Sequence, residues 1–190
     1  IARGLEGGVE EWYPTVVIWA GALFLLTNYE SSGPYSLRLK DRGLPGNVAI
    51  SLSVGMLVLF GAAGVFEPFN LRAWSMFVVG VLYTLAREIV KDIEDMEGDK
   101  GRSTYVMRVG PEKARTVAWV ILLLTLISLL MPFGIGVFPE LHLLGVIPAV
   151  VFLLMVKGRL MASEDHAAQQ LIKKSMYLAL AGFLGSSLLA

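Results

Sequence analysis

The sequence predicts an all-α fold, a polytopic membrane helical bundle with six transmembrane helices, and three observations predict it. Hydrophobic residues fill 55% of the 190 positions and charged residues only 17%. Mean hydropathy is +0.65, an apolar excess beyond that of an ordinary soluble domain. The excess is gathered into six segments, at about 13–28, 48–66, 71–90, 114–133, 141–161 and 171–189, several close to the roughly 20 residues a spanning helix needs. Basic residues, thirdly, alternate from loop to loop.

The first segment is the shortest and opens at Trp12 and Tyr13, aromatics suited to a membrane interface. The connection that follows carries Arg38, Lys40 and Arg42. The second and third segments are joined by a loop holding Arg72 alone, beside a second interfacial aromatic, Trp74. The third gives way early to charge, and the loop after it holds Lys100, Arg102, Arg108, Lys113 and Arg115. No Lys or Arg lies between Met131 and His142, whereas the connection after the fifth segment has Lys157, Arg159, Lys173 and Lys174. The positive-inside bias then places loops 29–46, 91–113 and 157–173 in the cytoplasm, with both chain ends outside. No β alternation is visible, and a bilayer leaves helices as the open option. Ala181 and Gly185 suit close helix packing in the last segment. Met56, Phe60, Phe77, Met155 and Phe183 either line an apolar cavity or face lipid and neighbouring helices. His142 and His166 read as isolated loop or interface histidines.

Several function classes are excluded or left without support. Lys plus Arg equals Asp plus Glu at 16 each, so charge balance points to no nucleic-acid partner. Cysteine is absent, which excludes a disulfide framework and thiol chemistry. The chain starts at Ile1 rather than Met and shows no signal peptide, so it is expected to begin inside a longer protein.

Chemistry concentrates in Arg87 to Asp99, REIVKDIEDMEGD, with eight ionisable residues in thirteen positions. At about 100° per residue, a helix here would gather Glu88, Asp92, Asp95 and Asp99 within roughly 60°, with Lys91 beside them and Glu94 and Glu97 on the other side. A solvated helix end needs no such sorting. A divalent-cation site does, because hard cations take oxygen ligands and Mg²⁺ shares them with substrate phosphates. Counting about 1.5 Å per residue from Ala73 leaves Arg87 and Glu88 at membrane depth and Asp95 and Asp99 near the cytoplasmic interface. Ionisable residues inside a span are costly and face the bundle interior, which favours a functional reading. An acidic site above a hydrophobic bundle matches an amphiphile with a phosphate head and an apolar tail.

A second polar stretch lies on the same predicted side, GPYSLRLKDRGLPGN from Gly33 to Asn47. Tyr35 offers a phenol, Lys40 a point charge for phosphate, and Asn47 an amide where the next helix begins. Arg38 and Arg42 read as topology charges, and Arg102 and Arg108 as either phosphate ligands or topology charges.

At these two places the sequence resembles the UbiA superfamily of intramembrane prenyltransferases. KDIEDMEGD is similar to that family's second aspartate motif, D-x-x-D-x-x-x-D, at Asp92, Asp95 and Asp99. YSLRLKDRGLPGN resembles its Y-S-x-x-L-K…G-N segment, at Tyr35, Ser36, Leu39, Lys40, Gly46 and Asn47. Arg87, Glu88 and Lys91 make the chain most similar to the archaeal branch that prenylates geranylgeranylglyceryl phosphate. The family's nine helices and its first motif, N-D-x-x-D-x-x-x-D, are not all matched. The resemblance therefore implies that residues 1–190 form one transmembrane prenyltransferase domain, the last six helices of nine, lacking an N-terminal part with the first motif. Ser103, Thr104, Tyr105 and Val106 also depart from the Leu-Pro that commonly follows Thr in the family.

The resemblance implies a multi-pass cell-membrane enzyme with its active site facing the cytoplasm. Its partners would be a prenyl diphosphate, a membrane-embedded acceptor and the lipid bilayer. Asp95 and Asp99, with Asp92 close by, would hold Mg²⁺ on the diphosphate. Lys40, Lys91 and Arg102 would add positive charge as the C–O bond breaks, and Asp92 or Tyr35 would position or deprotonate the acceptor. Asn47, Arg87, Glu88 and Arg108 complete the expected substrate contacts. Transfer to an aromatic acceptor such as 4-hydroxybenzoate is the alternative within enzymes. A divalent-cation transporter is the alternative outside them, although four of the six segments have almost no ionisable residue at their centres. A non-catalytic partner subunit is the third alternative.

Overall fold

The computed structural model describes residues 8–31, 33, 35–98 and 103–189. Among them the regular structure is wholly helical. Helix α1 spans Val9–Glu30, α2 Leu44–Gly64, α3 Leu71–Glu94, α4 Tyr105–Val109, α5 Pro111–Gly134, α6 Ile147–Met161 and α7 Asp165–Leu189. Short 3-10 turns occupy Leu39–Asp41, Asp95–Glu97 and Glu140–Gly145.

Local chemistry sets the helix starts. The Asn70 side chain accepts from the backbone N–H groups of Arg72 and Ala73 at the head of α3, and that of Thr104 accepts from Met107 N at the head of α4. Both satisfy donors that a helix start leaves unpaired. Proline stands in the first two positions of α2, α5 and α6, where its missing N–H costs nothing and its φ suits the helix.

Helix α3 is the central element and packs against α2, α5 and α7. Its buried residues, Val79, Tyr83, Thr84, Ala86, Ile89, Val90 and Ile93, recur at three and four positions, as a core-facing helical stripe must. Helix α6 packs on α7, and α1 lies against α2. Within the bundle the Tyr83 hydroxyl lies 2.7 Å from Ser175 Oγ, which donates to the Ala149 carbonyl at 2.6 Å. The Ser175 proton is thereby used, so Tyr83 is the donor of the first bond. These two bonds tie α3, α7 and α6 together where no water competes.

The loops sort to two ends. At one, Asn47 meets Asp92, Glu94 meets His166 and Arg115 meets Asp165, which brings together the described parts of the connections, 35–43, 103–110 and 162–164. At the other, Trp12 stacks edge-on to Phe66, and Arg72 lies over Phe138 while donating to Val137 O. This grouping agrees with the alternation read from basic residues.

Among the described residues four helices, α1, α2, α3 and α5, are long and apolar enough to cross a membrane. Helix α6 has 15 residues, about 22 Å at 1.5 Å per residue against a hydrocarbon core of about 30 Å. It starts at Ile147 rather than near 141 because Glu140–Gly145 tightens into a 3-10 turn between Pro139 and Pro148. Helix α7 starts at Asp165 rather than near 171, since its polar first turns, DHAAQQ, are helical without being apolar. The six apolar segments thus correspond to six long helices, of which four meet the spanning criterion.

Candidate active site at one end of the bundle

The acidic stretch is helical only in part. Helix α3 ends at Glu94 and tightens to a 3-10 turn over Asp95–Glu97. The expected single stripe through Asp99 therefore runs on α-helical geometry to Glu94, and Asp99 and Arg102 lie outside the described residues.

The first contact between the two motif regions is a hydrogen bond. Asn47 sits in the first turn of α2 with 7% exposure, and its Nδ2 donates to Asp92 Oδ2 at 3.0 Å. The amide is a neutral donor on a half-buried carboxylate, and the positive end of the α2 dipole favours an anion in the same place. Two glycines make the approach possible. Gly43 has φ +68, and a Cβ there would stand 2.8 Å from Tyr105 N and 3.1 Å from Ser103 O. A Cβ on Gly46 would stand 2.3 Å from the Leu39 carbonyl oxygen. The turn carrying Lys40 thus lies backbone-close to the start of α2, and the 43–47 segment lies backbone-close to the start of α4.

The other sequence-predicted residues divide. Arg87 Nη1 donates to Glu88 Oε1 at 2.8 Å, the side chains 26% and 13% exposed. Arg87 Nε is buried and has no hydrogen-bond partner, so this guanidinium keeps one donor for an oxygen ligand. Lys91 is exposed one turn further along α3. Lys40 Nζ lies 3.5 Å from Glu30. Arg108 Nε donates to Ser103 Oγ at 2.9 Å, and Asp95 is exposed at the end of α3. Tyr35 is 99% exposed and is not brought against Asp92. Its loop is held by Ser36 Oγ donating to Ser31 O at 2.6 Å and by Leu37 N donating to Asn28 Oδ1 at 3.1 Å.

Among the described residues no three His, Asp or Glu side chains converge as a preformed metal cage. The donors present are Asp92 and Asp95, hard carboxylate oxygens three positions apart at the end of α3. They fit Mg²⁺ in kind, since that ion commonly takes one or two protein carboxylates and completes its shell with water and substrate phosphates.

Behind this polar end lies an apolar cavity of about 290 Å³ between α2, α3 and α7, lined among others by Val54, Val58, Met76, Tyr83, Met176 and Phe183. Of the Met and Phe side chains singled out in the sequence, Phe183 lines it, whereas Phe60 and Met155 are exposed on the outside of the bundle.

The structure also shows charged contacts that the sequence left unpaired. Arg115 Nε and Nη2 donate to Asp165 Oδ1 and Oδ2 at 2.8 and 2.6 Å, a bidentate pair with both side chains 12% exposed. His166 Nδ1 lies 2.7 Å from Glu94 Oε1, and Arg159 pairs with Glu164. The first two pairs line a cleft of about 630 Å³. The only sequence signal for them is a charge-rich start to α7; partners fifty and seventy-two positions apart leave no local trace.

Comparison with known proteins follows the same division. The sequence pattern of the UbiA prenyltransferase family matches residues 12–181. The chain is 35% identical over 148 residues to a digeranylgeranylglyceryl phosphate synthase of Haloquadratum walsbyi, covering 75% of this chain and 51% of that protein. It is 32% identical over 194 aligned positions to the synthase of the same name from Thermococcus kodakarensis, covering 99% of this chain and 68% of that protein. A third of that name, from Methanopyrus kandleri, is 37% identical over 158 residues, 81% of this chain and 58% of the relative. The chain therefore spans about half to two thirds of the length of these relatives. No solved structure matches it.

Proposed function

The chain belongs to the UbiA prenyltransferase family, and from that premise we propose that the whole protein transfers a geranylgeranyl group from its diphosphate to geranylgeranylglyceryl phosphate. The reaction would be Mg²⁺-dependent, serve archaeal ether-lipid synthesis, and take place at the cytoplasmic face of a multi-pass membrane protein with six spans in this chain. The relatives' shared name supports the acceptor. The observation that carries the reading is the Asn47–Asp92 hydrogen bond. It joins the two motif regions at the polar end of a bundle whose interior offers an apolar cavity.

Asp92, Asp95 and Asp99 would hold the metal, which when bound supplies charge neutralisation for the diphosphate leaving group. The chain's own residues do the rest. Asn47 fixes the Asp92 carboxylate, so that one of its oxygens is already oriented before substrate arrives. Lys40 and Lys91 bring positive charge to the same end, where it stabilises the negative charge that grows on the diphosphate as the C–O bond breaks, a role to which Arg102, outside the described residues, would add. Arg87, with Glu88 holding Nη1, keeps a buried Nε–H without a hydrogen-bond partner that would donate to an oxygen ligand, and Arg108 stands on the neighbouring segment for a phosphate contact. The apolar walls take the prenyl tail and keep water from the allylic cation, with the ring of Tyr83 in the cavity wall. Tyr35, on the surface, acts on the acceptor only if its loop turns toward Asp92.

The test is made in the full-length protein. Asp95→Ala and Asp99→Ala are assayed with labelled geranylgeranyl diphosphate and either geranylgeranylglyceryl phosphate or 4-hydroxybenzoate. Loss of Mg²⁺-dependent transfer in both variants is expected, with product formed from the glyceryl phosphate acceptor. Retained turnover in both variants removes the metal role, and product from 4-hydroxybenzoate alone replaces the acceptor.

A further inference from the structure

The first turn of α7 holds two acidic and cationic partners that lie far apart in sequence yet flank one segment. Asp165 grips Arg115 near the start of α5 through two hydrogen bonds, at 2.8 and 2.6 Å. Its neighbour His166 meets Glu94, the last residue of α3, at 2.7 Å. A carboxylate only accepts, so the imidazole Nδ1–H is the donor. The Arg115 pair is largely buried and bidentate, with Glu112 on the remaining nitrogen at 2.5 Å. That geometry makes Asp165 a fixed point, and the peptide that follows it carries His166 to a set place over the end of α3.

Glu94 lies between Asp92 and Asp95. At about 100° per residue it points roughly 160° away from Asp92 around α3, so its hydrogen bond to His166 is formed on the opposite face from the Asn47–Asp92 bond. The end of α3 is thus held from both sides, by α2 through Asn47 and by α7 through His166. We infer that Asp165 and His166 are positioning residues for the proposed metal–diphosphate site: by gripping Arg115 and Glu94 they fix the rotation of the α3 end that aims Asp92 and Asp95. This rests on the reading of Asp92 and Asp95 as metal ligands. His166 itself touches no substrate and no metal ligand. It acts by keeping Glu94 turned away, so that the last α-helical turn does not unwind into the 3-10 geometry that begins at Asp95.

The test uses the purified full-length protein and the variants H166A, H166N, E94A, E94A/H166A and D95A. Binding of Mn²⁺ in the presence of inorganic pyrophosphate is followed by electron paramagnetic resonance, and the melting temperature is measured without metal. Asn places an amide nitrogen where His carries Nδ1, and so rebuilds the bond to Glu94. The pair is partly exposed, its side chains 69% and 32% accessible, so H166A should raise half-saturating Mn²⁺ by about two- to fivefold. The metal-free melting temperature should not move, H166N should restore binding, and E94A/H166A should be no worse than either single variant. Mn²⁺ binding by H166A equal to wild type, with binding lost in D95A, overturns the inference and leaves the site reading standing. So does a melting-temperature fall in H166A that accounts for the loss, or an H166N variant no better than H166A. Unchanged Mn²⁺ binding in D95A overturns the site reading and the positioning role with it.

Discussion

Replacing Asn47 tests the contact on which the site depends, and its cost can be worked from the structure. The amide is 7% exposed and donates to a half-buried carboxylate at 3.0 Å. A hydrogen bond to a charged group contributes about 1.5–3 kcal/mol. Asp92 keeps a further partner, so the carboxylate is not abandoned when the amide goes, and the lower half of that range applies. Since about 1.4 kcal/mol is a factor of ten, Asn47→Ala should lower kcat/KM for the prenyl diphosphate by about 10- to 40-fold. Asn47→Leu keeps the branched shape and removes both polar atoms of the amide. It should match Asn47→Ala in rate while losing less thermal stability, because it leaves no gap beside the first turn of α2. Steady-state kinetics in the full-length enzyme, with melting temperatures in parallel, separates the two effects. Both variants within twofold of wild type, beside an Asp92→Ala variant that loses activity, would refute the idea that Asn47 orients Asp92.

The other contacts give smaller or purely structural effects. Gly43→Ala places a Cβ 2.8 Å from Tyr105 N at φ +68, so it should destabilise the protein by about 1–3 kcal/mol and speed protease cleavage between α1 and α2. A melting temperature equal to wild type would mean that these two loops are not pressed together. Tyr83→Phe removes the hydroxyl that donates to Ser175 Oγ but leaves the Ser175–Ala149 bond intact. Buried helix–helix hydrogen bonds in membranes average about 0.6 kcal/mol, so stability in detergent should fall by about that amount with turnover retained. A loss of activity with unchanged stability would move Tyr83 from the scaffold into the reaction. Tyr35→Phe should leave stability unchanged, since the ring is 99% exposed, and its turnover reports directly whether that loop closes on the acceptor.

What the sequence made legible follows from which forces act locally. The six long helices could be read because each carries its own apolar run, and each overlaps one of the six segments, whereas the short α4 overlaps none. Boundaries were misread where helix formation does not require hydrophobicity. The DHAAQQ turn of α7 is polar and helical, while the apolar Leu141–Leu144 stretch falls in a 3-10 turn between two prolines. The carboxylate sorting on α3 could be read from a rotation of about 100° per residue, which correctly turned Glu94 away from Asp92. That same rotation left Glu94 without a role, because its partner His166 lies seventy-two positions away and a single sequence carries no pair information. Asn47 was legible as an amide at the start of a helix but not as the partner of Asp92, since the meeting depends on Gly43 and Gly46 letting backbones approach within van der Waals contact. Side-chain chemistry marks which groups can act, and glycines mark where the chain can close. The pairing itself is decided by the packing of α2 and α7 on either side of α3. For that reason changes at Gly43 and His166, neither of them a reacting group, should reach the acidic end through packing, with smaller effects than changes within the aspartate motif.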